Sequence, residues 1–249
     1  MDLTLYRCHD YAYLVERWRK IARATGLKMR RFAQTGDYPL YALVSRHSPN
    51  GGIYVSAGIH GDEPAGTEAL LRWAESHLEA VRSLPLVIIP CLNPWGLVHN
   101  TRLDAHHRDL NRSFHLDELP EVAGVKALIA PYRFAVALNL HEDYDAQGFY
   151  LYEVSRVTPY WGESLIDVAR PLIPIDQRKR IEGRRVTVEG VVRPKLNLKR
   201  FPMIPEAVHL HQHHSDRTFT FETPSEFALE HRVRVQIALI QECICRVPW

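Results

Sequence analysis

The chain has 249 residues, 46% of them hydrophobic and 24% charged, enough to bury one sizeable core and ordinary for a globular protein. Thirty-one lysines and arginines against 29 acidic residues leave a formal charge of +2, which gives no electrostatic reason to expect nucleic acid or an anionic membrane as partner. Four cysteines without a CxxC pair argue against a zinc knuckle, and the charged N-terminal stretch does not read as a signal peptide. No apolar run approaches a membrane span, so reduced thiols and a cytoplasmic setting are expected.

No repeat or Gly/Ser linker divides the chain, and residues 1–249 read as a single domain. Residues 10–24 place Tyr13, Leu14, Trp18, Ile21 and Ala22 near helical spacing, with Gly26 as a stop. Residues 40–45 and 53–57 read as strands joined by a turn at 48–52. The spacing predicts a helix over 64–81, with Ala69, Leu70, Trp73, Ala74, Leu78 and Val81 on one face. Residues 86–91 and 134–140 are short apolar strands, the kind buried on both faces of a parallel sheet. The stretch 173–206 is rich in proline and arginine and reads as loops and edge structure over one end of the sheet. Residues 217–221 alternate as a strand. Thr223-Pro224-Ser225-Glu226 then fits a capping box, opening a helix that turns Val233, Ile237 and Ile240 inward. Strands alternating with helices predict an α/β fold: a three-layer α/β/α domain around a central mixed, mostly parallel sheet.

The chemistry gathers at strand ends, where ligands bind in open α/β sheets. The strand at 53–57 runs into His60 and Glu63, an imidazole and a carboxylate three residues apart at the mouth of the next helix. His141 directly follows the apolar strand 134–140 and emerges at the same kind of edge. Two histidines and a glutamate suit a catalytic zinc, which takes N and O donors and keeps one position open. Glu142 and Asp143 adjoin His141, but carboxylates at strand ends are more often solvated or capping groups.

Between these ligands lie Asn93-Pro94-Trp95-Gly96, Asn100-Thr101-Arg102 and Asp109-Leu110-Asn111-Arg112. After them come Asn139-Leu140-His141 and Phe221-Glu222-Thr223-Pro224. In this order, across residues 60–223, the motifs resemble the M14 family of zinc carboxypeptidases. The resemblance implies one zinc per chain on His60, Glu63 and His141. It implies that Asp109 accepts the other N–H of the first histidine, that Asn111 and Arg112 grip the substrate's terminal carboxylate, and that Arg102 stabilises the oxyanion. It makes Glu222 the general base and the later proton donor. The substrate it implies is a peptide with a free C-terminal carboxylate, from which one residue is removed. The short chain and compact spacing look most like bacterial members, among them enzymes acting on murein peptides and small M14-like carboxypeptidases. The same core serves the aspartoacylase and succinylglutamate desuccinylase branch, which cleaves N-acyl amino acids. That branch usually carries an extra C-terminal β domain, whereas the residues after Glu222 read as one helix.

The chain departs from the family's digestive branch in having no tyrosine after Tyr160 to serve on a mobile loop. The run His209-Leu210-His211-Gln212-His213-His214 admits two readings. As a strand it would put His209, His211 and His213 on one face, lining a pocket for a polar or acidic side chain. Otherwise it is a loop of exposed histidines. Cys243 and Cys245 read as idle or buried thiols, and Trp73 and Trp95 as packing residues. The arginines at 178, 180, 184 and 185 read as a solvated loop, or as an attractor of acidic substrate.

Overall fold

The computed structural model describes residues 7–45, 50–196 and 203–249. In chain order the elements are α1 (Tyr11–Thr25), β1 (Met29–Thr35), β2 (Tyr38–Val44), β3 (Asn50–Ala57), α2 (Pro64–Ser76) and α3 (Leu78–Ser83). There follow β4 (Leu86–Ile89), α4 (Pro94–His99), α5 (Pro120–Ile129), β5 (Arg133–Asp143), β6 (Tyr150–Ser155) and α6 (Gly162–Ala169). The last are β7 (Arg180–Ile181), β8 (Arg184–Arg185), β9 (Val191–Val192), α7 (Glu206–His213), β10 (Arg217–Pro224) and α8 (Leu229–Arg246).

Eight strands form one sheet in the order β1-β2-β4-β3-β5-β10-β6-β9. Its centre is parallel: β4, β3, β5 and β10 run the same way. Antiparallel pairs of β1 with β2, β2 with β4 and β10 with β6 make the sheet mixed, as expected. Side-chain alternation divides the core in two. Ile53, Val55, Val136, Leu138, Leu140, Phe219 and Phe221 face one side, against Trp18 of α1, Trp73 of α2, Leu165 of α6 and Leu239 of α8. Tyr54, Val87, Ile89 and Ala137 face the other, against Val122 and Val125 of α5 and Leu210 of α7. Helices therefore cover both faces, which is the three-layer arrangement. Among the described residues no helix is long and apolar enough to cross a membrane.

Three local expectations are corrected. The helix expected over 64–81 breaks at His77, whose backbone leaves helical geometry (φ −129, ψ 44) and whose Nδ1 lies 2.8 Å from the Trp73 carbonyl. That contact occupies the carbonyl a continuing helix would use, and Leu78 ends up 38% exposed instead of facing the core. The capping box at 223–226 does not form. Thr223 and Pro224 remain extended because pairing of β10 with β5 continues to Pro224 opposite Asp143, and α8 begins only at Leu229. The histidine run is helical through His213, within α7, whose N-cap is Pro205 and whose C-cap is His214. The turn at 48–52 lies partly outside the described residues, and β4 separates the two strands it joins. The 173–206 stretch does supply edge structure, with β9 at the sheet margin and β7–β8 as a separate small hairpin.

Candidate metal centre

The turn after β3 is built by glycines. Gly58 has φ +63, and a Cβ there would meet Thr67 and Cys91 within 3 Å. A Cβ on Gly61 would lie 1.8 Å from the Gly96 carbonyl carbon, so this turn and the 93–101 segment interleave at backbone contact. Asn93 holds them together. Its N–H donates to the Gly58 carbonyl at 2.7 Å, its Oδ1 caps α4 through Gly96 N–H at 2.9 Å, and its Nδ2 donates to the Leu103 carbonyl at 3.1 Å. The Asn-Pro-Trp-Gly motif is thus the scaffold that carries Arg102 back beside His60.

His60, Glu63 and His141 converge. They are 2%, 5% and 3% exposed, and each offers one ligand atom within 4.8 Å of the others. Glu63, at the N-cap of α2, sets one oxygen 2.5 Å from His60 Nδ1 and the other 2.8 Å from His141 Nδ1. Asp109 reaches His60 from behind, with Oδ1 3.2 Å from Nε2, a contact that fixes the ring and leaves Nδ1 facing inward. The same Oδ1 accepts the Asn111 N–H at 2.9 Å. Its Oδ2 receives the Arg102 guanidinium fork, from Nε at 3.1 Å and Nη2 at 3.0 Å. Burial works against a charged His60, yet Glu63 and Asp109 outweigh it and hold the imidazole up at about 9. Burial likewise works against ionised Glu63, but the two histidines hold it well below the usual carboxylate range. The trio's donor set, two imidazole nitrogens and a carboxylate, fits zinc.

Glu222 stands beside this trio because β10 pairs in parallel with β5, Glu222 opposite His141. Among the described residues no protein donor holds its carboxylate, and burial pushes its pKa well above the ordinary value. Arg102, Asn111, Arg112, His141 and Glu222 all line one cavity of about 750 Å³. Glu142 turns aside: its carboxylate takes the Ala65 N–H at 2.6 Å and pairs with Arg232, so it serves α2 and α8 as a structural anchor.

Sequence reasoning missed several lining residues. Tyr150, Tyr152 and Val154 line the cavity from β6, an alternation visible in the sequence once the strand is placed. Glu182 arrives from the β7–β8 turn, where its carboxylate accepts the Tyr152 hydroxyl at 2.6 Å. Arg184 of β8 also lines the cavity. The histidines of α7 do not line it. That helix contributes Ala207 and Val208, while His209, His213 and His214 cluster with one another, ring centroids 4.9–6.3 Å apart. The expected histidine-lined pocket is therefore not formed, because helical spacing carries those side chains to other faces. Cys243 is buried, Cys245 is exposed, and neither is paired.

Comparison with known proteins bears on the same elements. Residues 49–149 match the succinylglutamate desuccinylase/aspartoacylase catalytic domain. Carboxypeptidase SOL1 of Arabidopsis thaliana is 33% identical over 103 residues, a match covering 33% of this chain and 21% of that protein's length. A protein of Shewanella amazonensis named as a metallopeptidase superposes with a TM-score of 0.84 at 21% identity, over 96% of this chain and 94% of its own. A metallo-carboxypeptidase of Burkholderia cenocepacia superposes with a TM-score of 0.67 at 15% identity, over 92% of this chain and 67% of its own. The two structural likenesses are of fold. The family-model match falls on the segment bearing His60 and Glu63, and the chain spans about a fifth of the length of the curated relative it matches.

Proposed function

We propose that the chain is a zinc-dependent carboxypeptidase of the cytoplasm, hydrolysing the last peptide bond of a peptide with a free terminal carboxylate. The observation that carries this reading is the pairing of Glu222 with His141 across β10 and β5, facing the cavity that Arg102, Asn111 and Arg112 also line. Zinc on His60, Glu63 and His141 would supply Lewis-acid polarisation of the scissile carbonyl and a more acidic water. Arg112 binds the terminal carboxylate through its guanidinium, and Asn111 adds an amide donor. Arg102, held by Asp109, turns positive charge toward the oxygen on which negative charge develops. Glu222 takes the proton of the attacking water and passes it to the amine as the C–N bond breaks.

A second reading has its own support. The match of residues 49–149 to the desuccinylase/aspartoacylase domain favours an N-acyl amino acid amidohydrolase. An N-acyl amino acid presents the same amide next to the same free carboxylate, so this site geometry accommodates either. A peptide-library digest read by mass spectrometry, beside N-acetyl and N-succinyl amino acids, separates them. Loss of single C-terminal residues, abolished by chelation and restored by zinc, is the expected outcome. Hydrolysis confined to the N-acyl amino acids would establish the second reading in its place.

A further inference from the structure

Glu206 has no exposed surface, and a carboxylate so placed is unfavourable unless hydrogen bonds replace its water. Its partners lie on β3. Tyr54 and Ser56, alternate residues on one face of that strand, donate to its two oxygens, Ser56 at 3.0 Å. Asn139, opposite Ser56 on β5, donates its Nδ2 to the Ser56 hydroxyl at 2.9 Å. The next position on that face of β5 is His141. The acid therefore ties the first turn of α7 to the two strands that lead into His60 and His141.

The main chain of Glu206 makes a further contact. Its N–H donates to Asn111 Oδ1 at 3.0 Å. With that oxygen engaged, the Asn111 amide turns its NH2 the other way, 3.5 Å from His141 Nε2 and on the cavity wall. A second tie runs alongside, Phe114 N–H to the Ile204 carbonyl at 2.9 Å.

We propose that Glu206 is a positioning residue for the carboxylate clamp. Its buried side chain pins α7 to β3, and its N–H fixes which edge of the Asn111 amide meets the substrate. This rests on the reading of Asn111 as part of that clamp. Glutamine at 206 would keep the shape but turn an NH2 toward a hydroxyl that now donates, loosening the turn without emptying the space. Asn111 would then lose its fixed partner, and ground-state binding of the carboxylate would weaken more than the chemical step.

The test uses zinc-loaded full-length protein, with zinc content and melting temperature measured for every variant. Asn111→Ala is expected to raise KM about tenfold, and Glu206→Gln roughly three- to tenfold, with kcat within about twofold and zinc content unchanged. The double variant should be no worse than Asn111→Ala, since both act through one amide. A readout independent of turnover is the 15N side-chain amide signal of Asn111 in metal-free protein, assigned by its loss in Asn111→Ala. It should respond to an added free amino acid in the wild type, and its free-state position should move in Glu206→Gln. Where neither peptides nor N-acyl amino acids are hydrolysed, this signal decides. A wild-type KM and an unmoved signal in Glu206→Gln, or in Tyr54→Phe if the former does not fold, would overturn the positioning role while the clamp stands. Unchanged KM in Asn111→Ala would instead overturn the clamp, and the inference with it.

Discussion

Glu222 is a carboxylate kept beside His141 by strand register and, among the described residues, left without a protein donor of its own. Replacing it with glutamine keeps the volume and removes the proton acceptor. Glu222→Gln is expected to lower kcat roughly 10²- to 10⁴-fold with zinc content and melting temperature unchanged. A near-normal rate in a zinc-replete variant would refute the base assignment. His60→Ala should show the complementary result, loss of stoichiometric zinc by elemental analysis, because the remaining pair cannot close a three-ligand set. The convergence of His60, Glu63 and His141 was legible in the sequence because they follow apolar strands, and sheet edges are where such residues collect. Arg102 and Asp109 were legible only through the family resemblance. Their meeting depends on Asn93 folding the segment back, which no local pattern announces. Glu206 was not legible at all, since what distinguishes it is burial against residues far away in the chain.

Among the elements, the turn between β3 and α2 is the most constrained. Gly61 leaves no room for a methyl group, because the atoms it would strike belong to the backbone of α4 and cannot rotate away. Gly61→Ala should destabilise the fold by about 3 kcal/mol, near the upper end for an overpacked site, and weaken zinc binding because His60 and Glu63 flank the displaced residue. Urea midpoints and zinc titration would check both effects. Unaltered values would mean that the two segments can separate. The same contrast explains which elements the sequence revealed. The apolar strands followed from unbroken apolar runs and α1 from helical periodicity, both local properties. The break at His77 and the continuation of β10 through Pro224 are set by one side-chain contact and by strand pairing, and neither changes the hydrophobic pattern. The histidine run misled because its alternation fits a strand as well as it fits the second half of α7.

For the whole molecule, stability should depend on pH in a direction the α7 histidines set. Burial, aided by the charges of His213 and His214, holds His209 near about 4, and burial with Arg156 does the same for His211. The unfolded chain protonates such groups near about 6.5, so it binds more protons than the fold between these values. Both histidines favour the fold above that window and cease to do so as pH falls through it. Denaturation at pH 7 and about pH 5 should therefore show a smaller loss of stability in zinc-loaded His209→Gln than in wild type, and an equal loss would exclude the histidine. Zinc should in turn raise the melting temperature, by the equivalent of about 4 kcal/mol when it exceeds its Kd a thousandfold. Finally, β10 lies between β5 and β6, two strands that follow each other directly in the chain. Neighbours joined by so short a connection ordinarily close into a hairpin. Here that hairpin would be a trap, because it would occupy the place where Glu222 must enter. Closing the sheet waits for a distant segment, which slows folding. It also imposes an order on synthesis: a nascent chain carries His60, Glu63 and His141 well before it carries Glu222. The proposed ligand set is thus complete in the chain before the proposed base, which arrives only with the last strand to be made.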